Sequence, residues 1–163
     1  MNNAPSPARS GHIASLHLHP PVPGAPLQSV EAIEVITGKG IAGEPRYFER
    51  LSRSTGQPSR RQVSLFEREQ IAEHAAALGL QSIAPGRARA NIETLGIYLV
   101  GLVGRQIQIG EARLLLYEPR KPCEKMEAIC AGLRALMEND RQGVLAEVVR
   151  SGRIQVGDPI LPV

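Results

Sequence analysis

The apolar positions along the chain fall in short runs bounded by glycine and proline, the pattern of a protein built from short strands. Ile13–Leu18 reads as a first strand, ending in the proline-dense connection Pro20–Gly24, which favours an extended loop. Val30–Ile36 alternates apolar and acidic residues and reads as a second strand. The glycine-rich loop Gly38-Lys39-Gly40-Ile41-Ala42-Gly43 follows. Glu44–Arg60 is polar, rich in serine and without apolar period, and is expected to be a mobile loop and a candidate lid. Gln62–Phe66 reads as a buried strand, and Glu67–Leu78 as an amphipathic helix closed by Gly79. Ala90–Thr94 is a short extended piece, Leu99–Ile109 carries strand pattern interrupted by Gly101 and Gly104, and Ala112–Tyr117 is a further strand. Cys123–Met137, entered after Pro122, is expected to be one continuous helix. Val144–Arg150, Arg153–Val156 and Pro159–Pro162 complete the series as strands separated by tight turns.

Eight or nine short strands and two helices, without regular alternation, argue against a doubly wound parallel sheet and for a barrel or folded-over sheet. Residues 1–10 are polar and Pro-rich and are expected to be a disordered tail, leaving 11–163 as one domain. No signal-peptide core and no apolar run near the roughly 18 residues of a membrane helix is visible, so a cytoplasmic protein without membrane contact is expected. With two Phe, three Tyr and no Trp, the core must rest on Val, Ile, Leu and Ala. The same scarcity of stacking rings argues against nucleic-acid binding, although the net charge is +3.

Cys123 and Cys130 are the only cysteines. Seven helical steps separate their Cα atoms by roughly 10 Å, beyond the about 7 Å that a disulfide spans. Both are expected to be free thiols, which suits a reducing compartment. Cys123 stands at the expected start of a helix, directly after Arg120-Lys121-Pro122. Unpaired backbone N–H groups, the helix dipole and two cations all favour thiolate there, and a thiolate is a nucleophile, a sulfur carrier and a soft metal ligand. Cys130, expected in mid-helix among Ala128, Ile129 and Leu133, reads as a small core residue.

Other residues offer binding chemistry. The glycine loop with Lys39 could approach a phosphate, though it lacks the Gly-Lys-Ser/Thr ending of a Walker loop and taken alone reads as a turn. Arg89 and Asn91, two apart in an expected extended segment, would face one side and offer a guanidinium fork beside an amide. Arg60-Arg61-Gln62 could add charge to the same pocket. His17 and His19 have feasible spacing for zinc, but no acidic or cysteine ligand lies near them in sequence.

Taken in order, these segments resemble the MOSC domain, named after the C-terminal domain of molybdenum cofactor sulfurases. The resemblance rests on Gly38–Gly43, Arg61–Leu65, Pro85-Gly86, Arg89–Ile92, Leu102–Gly104, Ile109-Gly110, Pro122-Cys123 and Val148–Asp158, spanning about residues 30 to 160. It implies a mainly β (α+β) fold, a β-barrel with a few peripheral helices, and a pocket for the pterin-based molybdenum cofactor. Cys123 matches the family cysteine, which in some members ligates molybdenum for reduction of N-hydroxylated substrates and in others carries sulfur. Arg89 and Asn91 match the Arg-x-Asn of the pterin-binding region; Lys39, Arg46, Arg61 and Gln62 are expected to hold the cofactor with them. The resemblance further implies a partner in trans, either an electron-donor reductase or a cysteine desulfurase. The family is also associated with pyridoxal phosphate, through a preceding domain that is not expected within these 163 residues; no Schiff-base lysine stands out. Gly43-Glu44-Pro45-Arg46-Tyr47 stands where members often have Gly-Asp-Arg-His, and Arg141-Gln142-Gly143 keeps one glycine of a usual pair.

Overall fold

Eleven strands and three short helices make up the described residues, 10–163, of a computed structural model. The expected tail at residues 1–10 lies outside them except for Ser10. The strands are β1 (Gly11–Leu18), β2 (Gln28–Val30), β3 (Ala32–Ile36), β4 (Gly40–Ile41), β5 (Val63–Glu67), β6 (Ile92–Leu95), β7 (Gln106–Ile109), β8 (Ala112–Pro119), β9 (Val144–Arg150), β10 (Gly152–Gln155) and β11 (Pro159–Pro162). The helices are α1 (Arg68–Ala77), α2 (Glu124–Ile129) and α3 (Leu133–Leu136).

The main sheet runs β11-β7-β8-β9-β5-β6-β1, and β1 pairs back to β11, which closes a seven-stranded barrel. β2 attaches to the far end of β1, and β10-β3-β4 forms a separate small sheet. Closure removes the unpaired edges that short strands would otherwise expose. The interior follows from period two: Ala112, Leu114 and Leu116 of β8 and Ile107 and Ile109 of β7 point inward, against Ile13, Leu65 and Ile160. These branched and aliphatic side chains fill the barrel without aromatic help, as the composition requires.

β5 breaks the alternation because every residue in it is buried. Val63 and Leu65 join the barrel core, while Phe66 faces a second apolar cluster with Ile71 and Ala75 of α1, Met126 of α2 and Leu133 of α3. β5 also makes the one parallel pairing of the barrel, with β6, and α1 supplies the crossover that parallel neighbours need. The second cluster therefore clamps α2, and with it Cys123, against the outside of the barrel.

Three expected elements differ. Val30–Ile36 is two strands, because the chain bends at Glu31 and sends β2 and β3 to different sheets. Leu99–Ile109 opens with a 3-10 turn over Val100–Leu102 before β7 begins. The helix expected over Cys123–Met137 is broken: Cys130 is extended (φ −159°), Gly132 is left-handed (φ +88°), and the Glu127 carboxylate accepts the Gly132 N–H at 2.7 Å. Glycine tolerates that turn without a Cβ penalty, and the local hydrogen bond fixes it. Cys130 thus terminates α2 and does not sit in mid-helix, while both thiols are free.

Two further features bear on the site. A Cβ on Gly143 would overlap the Leu65 carbonyl oxygen, so the one glycine kept before β9 is the one that backbone contact demands. The 44–60 segment is tied at several points, by Glu49 N–H to Lys39 O (3.0 Å), Ser59 N–H to Arg50 O (2.8 Å) and a Leu51–Pro58 bridge. No helix of the described residues is long and apolar enough to cross a membrane.

At the start of α1, burial pushes the Glu67 carboxyl up to about 7 from 4.5, although backbone N–H groups oppose the rise. A carboxyl whose folded value exceeds its unfolded value makes the native state lose stability as pH rises between the two. The decline should total about 3 kcal/mol and level off above the folded value. Glu67→Gln should lack it, so denaturant unfolding at about pH 8 should favour the variant over wild type more than at about pH 5. Parallel stability profiles would contradict this account.

Candidate functional site

A buried carboxylate organises the end of the barrel from which the site is built. Glu44 is 1% exposed. Its Oε2 accepts His19 N–H (3.0 Å), His19 Nδ1–H (2.9 Å) and Asn91 Nδ2–H (3.0 Å), and its Oε1 accepts Arg46 N–H (3.1 Å). Because a carboxylate only accepts, the contact identifies Nδ1 as the protonated nitrogen of His19. Burial by itself would raise the Glu44 carboxyl; the hydrogen bonds and charge of His19 and the Arg46 N–H prevail and hold it below its ordinary range. Asn91 continues the network: its Oδ1 accepts both Ser64 N–H and Ser64 Oγ–H at 3.1 Å, and its amide also donates to His17 O at 3.2 Å. The strand ends of β1, β5 and β6 and the 44–60 segment are thereby locked to one another.

Arg89 sits on the turn before β6 with a left-handed backbone (φ +62°), a conformation uncommon for a residue with a side chain. Two anchors hold it there. Arg120, buried behind the turn, donates to Ala88 O (3.3 Å) and Arg89 O (3.2 Å). Glu93, fully buried on β6, accepts Gly86 N–H (2.6 Å) while pairing with Arg68 (2.7 Å). Gly86 packs so closely on the His17 ring that a Cβ would stand 3.0 Å from it. His17 donates from Nδ1 to Ala90 O at 3.0 Å, so this histidine serves the turn. Backbone strain of this kind points to a position where side-chain direction matters.

The direction is into a cleft of about 440 Å³, walled by the Pro20–Gly24 strap and His19. Arg46, Arg50, Arg53, Arg89 and Lys125 line it, and no carboxylate does. Tyr47 forms a buried floor nearby: its ring lies 4.9 Å from the Arg61 guanidinium and 5.5 Å from those of Arg46 and Arg50, and the His19 ring meets it edge-on. The cations strain one another. Burial first, and then the charge of Arg61, pull Arg120 down to about 10, with Tyr47 and Cys123 acting in the opposite sense. Desolvation, Arg46 and Arg89 likewise lower Lys125. Such a cluster gains most from an anion with several oxygens.

Cys123 is exposed, at the residue that precedes α2, two positions from Lys125 and within electrostatic range of both Lys125 and Arg120. α2 has only six residues, so its dipole is a smaller influence than the side-chain cations.

Of the residues expected to bind, Arg46 and Arg89 line the cleft, Arg61 stacks over the Tyr47 ring, and Cys123 lies within electrostatic range of Lys125 and Arg120. Lys39 is 52% exposed, pairs with Glu49 at 3.0 Å and is not among the lining residues. Arg89 and Asn91 do not present to one side, because the left-handed backbone of Arg89 breaks the extended geometry before β6 begins. The Asn91 amide is consumed by the internal network. So is Gln62, which donates to Ser59 O (3.0 Å) and accepts Val148 N–H (2.8 Å). These two amides frame the site. Sequence reasoning passed over Arg50, Arg53, Lys125 and the structural task of Arg120. The signal was the excess of arginine between residues 46 and 61, where Glu49 is the sole acid.

Glu44→Gln would turn one acceptor of this network into a donor facing donors. It should cost about 3 kcal/mol of stability in urea unfolding. The stability from the ionised Glu44 is present above its unfolded value of 4.5 and lost as pH falls through the lower folded value. The deficit of the variant should therefore shrink in acid; a variant as stable as wild type at neutral pH would contradict the assignment.

Comparison with known proteins adds to this geometry. The fold is similar to that of the YuaD protein from Bacillus subtilis, with a TM-score of 0.78 at 20% identity over 94% of this chain and 95% of that one. YiiM from Geobacillus stearothermophilus gives 0.70 at 18% identity, covering 94% of this chain and 75% of its own. YiiM from Escherichia coli gives 0.65 at 21% identity, covering 96% and 70%. No curated protein matches. The MOSC domain model matches residues 35–161, which takes in the 44–60 segment, the Arg89 turn, Cys123 and the closing strands, and the chain belongs to the MOSC domain family.

Proposed function

We propose that the cationic cleft and Cys123 together bind the molybdenum cofactor, and that the protein is a cysteine-ligated component of a molybdenum enzyme acting on N-hydroxylated compounds. The observation that carries this reading is the convergence of Arg46, Arg50, Arg53, Arg89 and Lys125 on one cleft without a carboxylate, beside an exposed thiol. The donor set fits the group: a pterin phosphate is a polyoxygen anion that guanidinium forks match, and a thiolate is a soft ligand suited to molybdenum. Arg46, Arg89 and Lys125 would hold the phosphate end, Arg50 and Arg53 would close over it, and Cys123 would ligate the metal. When bound, the cofactor supplies a redox-active metal centre able to remove oxygen from an N-hydroxylated substrate, with electrons from a separate reductase. The residues of this chain do the rest. The cations neutralise the anion and keep it out of bulk water. The Glu44–His19–Asn91 network holds the cleft walls at fixed spacing before any ligand arrives, which lowers the cost of binding.

The exposure of Cys123 favours a second reading, in which the thiol accepts sulfur from the persulfide of a partner desulfurase and carries it onward. In that exchange the Cys123 thiolate attacks the outer sulfur, and the partner leaves as its thiolate.

Metal analysis of protein from a host that makes the cofactor separates the two. Near-stoichiometric molybdenum in wild type, lost in Cys123→Ala and reduced in Arg89→Ala, is the expected result. No molybdenum in wild type, with a mass gain of about 32 Da on Cys123 that thiol reductants remove, would favour sulfur transfer and overturn the first reading.

A further inference from the structure

A second cleft, of about 820 Å³, shares no residue with the cationic one. It lies along α1, with the 96–105 turn and Pro162 of β11 as its other walls. Ile97, Leu102 and Pro162 give it an apolar lining, and the Tyr98 side chain stands over it 67% exposed. Its polar lining is dominated by acceptors: Glu67, Glu69, Gln70 and Glu73.

Two of these acceptors are engaged. Glu69 accepts Gly96 N–H at 2.7 Å, and Glu73 pairs with Arg141 at 3.1 Å. The deeper two each keep one oxygen without a partner. Glu67 is 5% exposed, and its Oε1 is buried without a hydrogen-bond partner; the buried Oε1 of Gln70 is also without one. Arg105, the one cation among the lining residues, makes no side-chain hydrogen bond to either oxygen among the described residues. A buried carboxyl oxygen without a partner is costly, and a donor from outside the chain would complete it. The upward displacement of the Glu67 carboxyl has the same origin, burial without a counter-charge.

We infer that this cleft binds a small organic cation, an amidinium or primary ammonium carried on a flat apolar body. Its N–H groups are donated to Glu67 and Gln70, and its body lies against Leu102 and Tyr98. The Gln70 oxygen only accepts, and the Glu67 carboxyl accepts once ionised, which selects a cationic N–H donor over an anion. The apolar walls select an organic body over a bare ion, and no group of three or more metal-ligating side chains occurs among the described residues. The exposed tyrosine ring adds a face on which a cation or flat ring can rest. The inference does not depend on the cofactor reading, because the two clefts have no residue in common.

The test is calorimetric titration of the intact protein with benzamidine as probe, beside benzyl alcohol and benzoate as neutral and anionic isosteres. Saturable benzamidine binding is expected, weakened roughly tenfold in Glu67→Gln, as loss of a charge-assisted hydrogen bond implies. Tyr98→Ala, a surface change that leaves the core alone, should weaken it several-fold. Arg89→Ala should leave it unchanged, which separates this cleft from the cationic one. Benzyl alcohol and benzoate should show no saturable binding. Absence of benzamidine binding, equal affinity in Glu67→Gln and Tyr98→Ala, or binding of an isostere as tight as that of benzamidine would overturn the inference.

Discussion

The buried carboxylate of Glu44 is the constraint on which the candidate site depends. An ionised group removed from water persists only where donors surround it. Here four N–H donors come from three parts of the chain: the end of β1, the start of the 44–60 segment and the residue before β6. Satisfying one charge therefore fixes three chain segments together. The Pro20–Gly24 strap that follows His19 becomes one wall of the cleft, and the arginines that follow Glu44 become another. A shorter carboxylate would have to bring these elements closer.

Around that anchor the protein concentrates positive charge at a cost in self-repulsion. Arg120 shows it most clearly, since burial and Arg61 both work against its charged form. The Arg89 backbone adds local strain. None of this improves the barrel core, which is complete without the cleft. A bound anion, as in the proposed function, would relieve that repulsion. The barrel can tolerate such a load because its seven strands close on themselves around a large apolar cluster.

Most of the short strands, the helix that follows β5 and the closing turns were legible in the sequence, because period-two alternation and glycine punctuation are local signals. Barrel closure, the pairing of β1 with β11, was not, since it joins the two ends of the chain. The helix break at Cys130–Gly132 was obscured because Met126, Leu133 and Met137 keep helical spacing across it. At the site, Cys123, Arg46 and Arg89 could be singled out from residue type and order. Asn91 and Gln62 could not be told from ligand-binding amides, because their partners, Ser64, Glu44, Ser59 and Val148, are set by tertiary contact. Lys125 entered the cleft only through the docking of α2 on Phe66, a contact far apart in sequence.

The claim that the cationic cleft and Cys123 form one site is tested most directly by alkylating the protein with anionic iodoacetate and neutral iodoacetamide. Peptide mass analysis can follow Cys123, with Cys130 of the same molecule as the internal reference. The account predicts an iodoacetate preference at Cys123 that is several-fold above that at Cys130, falls with added salt, and is lost when Arg46, Arg89 and Lys125 are replaced by alanine. An equal preference at the two cysteines, unchanged by those substitutions, would contradict it.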